Sequence, residues 1–260
     1  MKRSIRRVLG RIIFDSRLNQ MLLSDTAAVV AFHRVNDLTE GGTLTCSVEL
    51  FERYCQFFAD HFRVVPLRHL VEKLEQKAKL NRELAITFDD GYRDNLEFAV
   101  PVLRRFGLPA TFFVVTQFIG TDFAAWWDKG LTARHAWLSW DEVRALHREG
   151  FDVGAHTRSH ADLGKVVGPQ AWDEIRGSRR DVEEQLSATV DLFAYPYGGR
   201  DNLTAANLEL VRAAGFRCCC SCAGGTNAMG ADPFRLGRIP LSSWYRSPSE
   251  FACDVALRRV

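Results

Sequence analysis

Two pairs of residues in this 260-residue chain could do chemistry together: Asp89 with Asp90, and His156 with His160. The carboxylates end the run Leu84-Ala85-Ile86-Thr87-Phe88, which reads as a buried strand, and Gly91 allows a tight exit. Adjacent carboxylates after a buried strand are costly unless a cation neutralises them. Neighbouring side chains on an extended segment point apart, so one can bind a metal while the other faces water or substrate. A plain Asp-Gly turn capping a helix is the bland alternative. His156-Thr157-Arg158-Ser159-His160 follows a second strand, Phe151-Asp152-Val153-Gly154-Ala155. Two His four apart can present both imidazoles to one ion, and two His plus one carboxylate leave positions open for water or substrate. A third strand leaves through Tyr195-Pro196-Tyr197-Gly198-Gly199, exposing backbone N–H groups that can donate to a developing oxyanion, or simply turning. His61, His69, His135 and His147 read as structural or surface residues.

These groups need a frame that brings strand ends together. Strand-length apolar runs fall at Val29–Val35, Phe62–Leu67, Leu84–Asp89, Ala110–Thr116, Phe151–Ala155, Asp191–Tyr195, Phe216–Cys220 and Leu236–Leu241. Helical 3/4 spacing falls between them, at Val48–His61, Leu96–Phe106, Trp140–Arg148, Trp172–Leu186 and Ala205–Ala214. Ser139-x-x-Glu142 is a capping box, Gly107 and Gly215 stand where helices stop, and Pro248 opens the last helix. Strand and helix alternating over most of the chain predict parallel strands joined by crossover helices. The expected fold class is α/β: a distorted (β/α) barrel of about seven strands in a single domain, residues 25–260, after a basic segment, residues 1–24. In such barrels functional groups gather at the carboxyl ends of the strands.

Composition narrows the function. A chain of this mass folds to roughly 11,500 Å² of accessible surface, ample for a core without staples. The formal charge of +2 predicts no nucleic-acid partner. Seven Cys, four of them crowded at Cys218, Cys219, Cys220 and Cys222, fit a reducing, cytoplasmic compartment better than a disulfide framework. Alternation along a strand would split those thiols between two faces, so they read as small buried hydrophobes. Lys2, Arg3, Arg6, Arg7, Arg11 and Arg17 face one acid, Asp15, with no unbroken apolar run of signal-peptide kind. This segment reads either as a basic amphipathic helix making peripheral contact with the inner face of a membrane or as a solvated arm packed on the domain. Trp140 and Trp172 fall on apolar helix faces and read as core; Trp126 and Trp127 read equally as core or as a sugar platform.

Taken together, the three strand ends resemble the polysaccharide deacetylase family, the carbohydrate esterase domain of chitin and peptidoglycan deacetylases. Thr87-Phe88-Asp89-Asp90-Gly91 is similar to its first motif, His156-Thr157-Arg158-Ser159-His160 to its second, and Tyr195-Pro196-Tyr197-Gly198 to most of its third. The resemblance spans about Asp25 to Trp244. It implies metal-dependent removal of N-acetyl groups from amino sugars. Asp90, His156 and His160 would hold a divalent ion, zinc being the first expectation and cobalt or nickel the others. Asp89 would be the general base, and the Tyr197 N–H would support the oxyanion. Two departures stand out. Ala194 replaces the Arg that often orients the base, and Arg238 on a late strand could supply that cation. No His follows His160 to give the family's late acid; in the branch of the family that this chain most resembles, a His at the early strand end takes that part, which implies His33 at the end of Val29–Val35, a structural His being the other reading. The expected substrate is a cell-envelope or lipid-linked glycan; a small non-sugar amide, or binding of a glycan without catalysis, are the other readings. Oligomeric state is not legible.

Overall fold

The computed structural model describes residues 2–38, 43–131, 133–242 and 245–257. Trp244, the far end of the stretch of resemblance, lies outside them. The frame consists of β1 Thr26–Phe32, β2 Glu83–Phe88, β3 Thr111–Val114, β4 Asp152–Ala155, β5 Leu192–Ala194, β6 Cys218–Ser221, β7 Leu236–Gly237 and β8 Ile239–Pro240. From β1 to β7 each pairs in parallel with the next. β8 returns to β1 through Val30↔Ile239 and Ala31↔Pro240. β7 and β8 are one stave interrupted at Arg238, so seven staves make the nearly closed barrel. Arg63–Val64 pairs in parallel with the start of β2, and Asn227–Ala228 runs antiparallel to the start of β1.

Alternation along the strands sorts the core into two layers. Ala27, Val29, Ala85, Phe113, Ala194, Cys218, Cys220 and Leu236 form the inner layer, with Leu67, Leu70, Val71 and Leu74 of the helix Leu67–Glu75 packed into it. Val30, Phe32, Ile86, Phe88, Phe112, Val114, Phe193 and Cys219 face the surrounding helices. The thiols at positions 218–220 therefore split between faces and are buried, as expected. The total accessible surface, 11,749 Å², agrees with the value expected from mass.

The helices Val48–His61 and Trp140–Arg148 form over the expected residues, the second with its Ser139–Glu142 capping box in place. Two helices differ. The first begins with a π turn, Asn95–Ala99, before Val100–Phe106; the second has one, Asp173–Gly177, between Gly168–Trp172 and Ser178–Leu186. Each π turn adds a residue and rotates the following face by about 100°. The spacing that aligned Trp172 with the core is broken there, and Trp172 is exposed rather than core. Trp140 is half-buried against the core.

Candidate active site

The carboxyl ends of β2, β4 and β5 converge on one cleft of about 410 Å³, within the ordinary range for small-molecule sites. His33, Asp89, Asp90, His156, His160 and Tyr197 all line it, so the structure brings together every expected site residue except Arg238, which acts from behind. β2 hands the chain to Asp89, whose N–H donates to Phe32 O at 2.9 Å. Asp90 then takes a left-handed φ of 73° and Gly91 one of 85°. The left-handed φ strains any side chain at Gly91, and a Cβ there would also press on Ile119 Cδ1 at 2.8 Å. His160 and Tyr197 also hold positive φ, 59° and 62°. Non-glycine residues in this region store strain, and such strain gathers where side chains must be aimed.

Asp90 Oδ1 lies 3.4 Å from Nε2 of both His156 and His160. All three side chains are essentially buried, and their ligating atoms fall within 4.8 Å of one another. His156 Nδ1 donates to Ala194 O at 2.8 Å. A carbonyl only accepts, so Nδ1 carries a proton, and in the neutral tautomer that leaves a lone pair at Nε2 turned toward Asp90. Asp90 Oδ1 makes no hydrogen bond among the described residues. Acceptors facing acceptors in a buried pocket call for a cation, and ligands about 2.1 Å from a tetrahedral ion stand about 3.4 Å apart. The residues fit a divalent ion.

Asp89 has a different partner. Arg238, fully buried, donates Nη1 to Oδ1 and Nη2 to Oδ2, each at 2.7 Å. Arg238 Nη1 also reaches Thr87 Oγ1 at 3.1 Å, and Thr87 donates to Val30 O at 2.8 Å. Against the penalty of burial, this forked pair keeps Asp89 ionised with its pKa lowered. Arg238 itself is pushed up by Asp89 despite its own burial. His33 stands across the cleft; burial lowers its pKa, opposed by the charges of Asp90 and Asp89. The Tyr197 N–H donates no hydrogen bond among the described residues. Its loop is pinned by Cys222 N–H, which donates to Gly198 O at 2.8 Å.

Several residues of the site escaped the sequence reading. Glu174, in the second π turn, accepts from the N–H groups of Arg158 and Ser159, each at 2.9 Å, and from Ser159 Oγ at 2.6 Å. It thereby shapes the loop that joins the two histidines, and no sequence signal marks it. The turn Trp126–Asp128 is clamped by buried Arg34, which pairs with Asp128, and by Tyr92, whose hydroxyl donates to Asp128 at 3.0 Å. Trp127 donates to that same hydroxyl at 2.8 Å and lays its ring 4.5 Å from His160. Tyr197 meets the His160 ring edge-on with centroids 4.8 Å apart. Arg34 and Tyr92 each adjoin a motif residue, His33 and Gly91, a proximity that could have drawn attention. Trp126 lines the cleft 60% exposed. Cys222 also lines the cleft instead of joining the buried thiols, because the chain has left β6 by then; its Sγ lies 3.5 Å from Arg238.

A nearly closed parallel barrel with an Asp-His-His cluster and a second, Arg-paired carboxylate at its strand ends defines a class of α/β proteins with a potential ion site at the barrel mouth. The profile of the Polysaccharide deacetylase family matches residues 76–219, more than half of the chain, and the chain belongs to that family. Among its relatives are Bacillus subtilis YxkH, 24% identical over 165 residues, covering 63% of this chain and 54% of the relative. The peptidoglycan-N-acetylglucosamine deacetylase PgdA of Listeria monocytogenes is 27% identical over 135 residues, 52% of this chain and 25% of that protein. The chain thus spans about half or less of the length of these relatives. The solved Streptococcus pyogenes deacetylase PplD shares the fold at a TM-score of 0.74 and 19% identity, over 87% of this chain and 96% of that one. The family match includes Asp89, Asp90, His156, His160 and Tyr197 but neither His33 nor Arg238.

Proposed function

We propose that the protein is a metal-dependent N-deacetylase that removes the acetyl group from an N-acetylated amino sugar of a cell-envelope or lipid-linked glycan, releasing acetate. The observation that carries this is the three-way approach of Asp90, His156 and His160 beside a separately held carboxylate. A divalent ion on these three residues, zinc before cobalt or nickel, would polarise the acetyl oxygen and acidify a bound water. Asp89, kept ionised by Arg238, would take the proton of the attacking water. The Tyr197 N–H is free to donate to the oxyanion, a donor class worth about 2.7–4 kcal/mol. His33 faces the cleft where the amine would leave. Burial lowers its pKa, against the charges of Asp90 and Asp89, which makes its imidazolium a readier proton donor.

The substrate class has support from the exposed ring of Trp126 and the covered one of Trp127 at the cleft, a surface for a sugar face. It also has support from the name borne by the Listeria relative. The free cysteines favour a reducing, cytoplasmic setting for the reaction. Acetate release from a panel of N-acetylhexosaminides, with and without a chelator, tests the proposal. Chelator-sensitive release from sugar substrates is the expected result. Release confined to non-sugar acetamides would transfer the site to a small-molecule amidase, and binding without release would make it a glycan-binding barrel.

A further inference from the structure

The N-terminal helix Arg3–Asp15 is folded onto the C-terminal helix Pro248–Leu257 along one side. Gly10 approaches so closely that a Cβ would stand 2.0 Å from Ser249 O. Ile13 and Phe14 are buried, Arg6 pairs with Asp254, and Arg7 pairs with Glu250 at 3.1 Å. The opposite side is uncovered. Ile5, Val8 and Ile12, spaced i, i+3 and i+7, are 52%, 59% and 53% exposed, a continuous apolar stripe in water. Lys2, Arg3, Arg11 and Arg17 are exposed on the same segment and make no ion pair among the described residues.

We propose that this face lies on an anionic lipid surface, with Ile5, Val8 and Ile12 at the acyl boundary and Lys2 and Arg11, which flank that stripe, at the headgroup phosphates. The charge distribution selects this occupant. The first twenty residues carry six basic side chains against Asp15 alone, so a second copy of the face would meet like charge. An anionic leaflet attracts each cation, about fivefold in affinity per residue. The helix is already folded and anchored, so docking does not carry the ordering cost that a free amphipathic peptide meets. No helix of the described residues is long and apolar enough to cross a membrane, and this one has the size of a segment that lies in the interface. The proposal goes beyond the deacetylase reading and does not depend on it.

Flotation of the full chain with vesicles tests it, using phosphatidylcholine alone and phosphatidylcholine mixed with phosphatidylglycerol, at low and high salt. The expected result is binding to the anionic vesicles only, lost at high salt. The triple variant Ile5→Ser, Val8→Ser, Ile12→Ser and the double variant Lys2→Gln, Arg11→Gln should each weaken it by roughly tenfold or more, with unchanged melting curves. Absence of binding, equal binding to neutral vesicles, or full binding by the triple variant overturns the proposal. So does a dimer, seen by sedimentation velocity, that the triple variant dissociates, since the face would then belong to a second copy. Asp89→Asn should float like the native chain, which separates failure here from failure of the hydrolytic reading.

Discussion

Asp89 and Asp90 are chain neighbours with opposite surroundings, and that difference divides their work. Arg238 occupies both oxygens of Asp89, whereas Asp90 meets the imidazole nitrogens of His156 and His160. Asp89→Asn is therefore expected to keep the metal, measured by elemental analysis, while acetate release falls by about 10²–10⁴-fold. His156→Ala should lose both metal and activity. A metal-free Asp89→Asn would reverse the assignment. Asp94 offers a test of a different kind. Burial raises its carboxyl from 3.8 to about 7, against hydrogen bonding from Asn36 and the charge of Arg34, and His135 lies 4.0 Å away. The unfolded chain gives up this proton near 3.8 and the folded chain only near 7, so the group lowers stability as pH rises through that interval. Asp94→Asn should flatten this part of the profile, with the gain at neutral pH, in denaturant titrations from pH 4 to 8.

At the scale of elements, the two π turns are tied to the site. Asn95, the first residue of one, donates to His33 O at 2.7 Å, and Glu174 in the other holds the loop between the histidines. A π turn widens the helix by one residue and so brings an extra side chain or backbone group to bear where a regular helix would turn it away. Glu174 touches no ligating atom; it positions His160 through the backbone of Arg158 and Ser159. Glu174→Ala is expected to weaken metal affinity by about 10–100-fold, the effect typical of groups that orient ligands, in a competition titration with a chromogenic chelator. Unchanged affinity would reduce Glu174 to a structural residue.

For the whole molecule, Arg238 joins closure of the barrel to the chemistry at its mouth. It interrupts the last stave between the pairing of Leu236 with Cys220 and that of Ile239 with Val30. Its N–H donates to Ser221 O at 2.9 Å while its guanidinium crosses the interior to Asp89. Removing one partner of a buried ion pair leaves a charge without compensation, at about 3–5 kcal/mol. Arg238→Leu should lower stability by that amount in urea unfolding, and Arg238→Leu combined with Asp89→Leu should recover much of it. A double variant no more stable than the single one would show that the cost lies in barrel closure.

The local chemistry was legible in the chain itself. Apolar runs of strand length, the Ser139 capping box and the Asp-Asp-Gly and His-x-x-x-His spacings depend on nearest neighbours, and alternation along a strand sorted the cysteines at positions 218–220 correctly. The expectation of about seven parallel strands followed from the same patterns. Which residues meet across the barrel was another matter. Arg238 and Asp89 are far apart in sequence, as are Arg34 and Asp128, and no periodicity encodes such pairings. The rotation introduced by a π turn, which put Trp172 in solvent, and the exit of Cys222 into the cleft likewise depend on packing between elements. Closure of the barrel selects those meetings, because only the completed ring brings the strand ends within reach of one another.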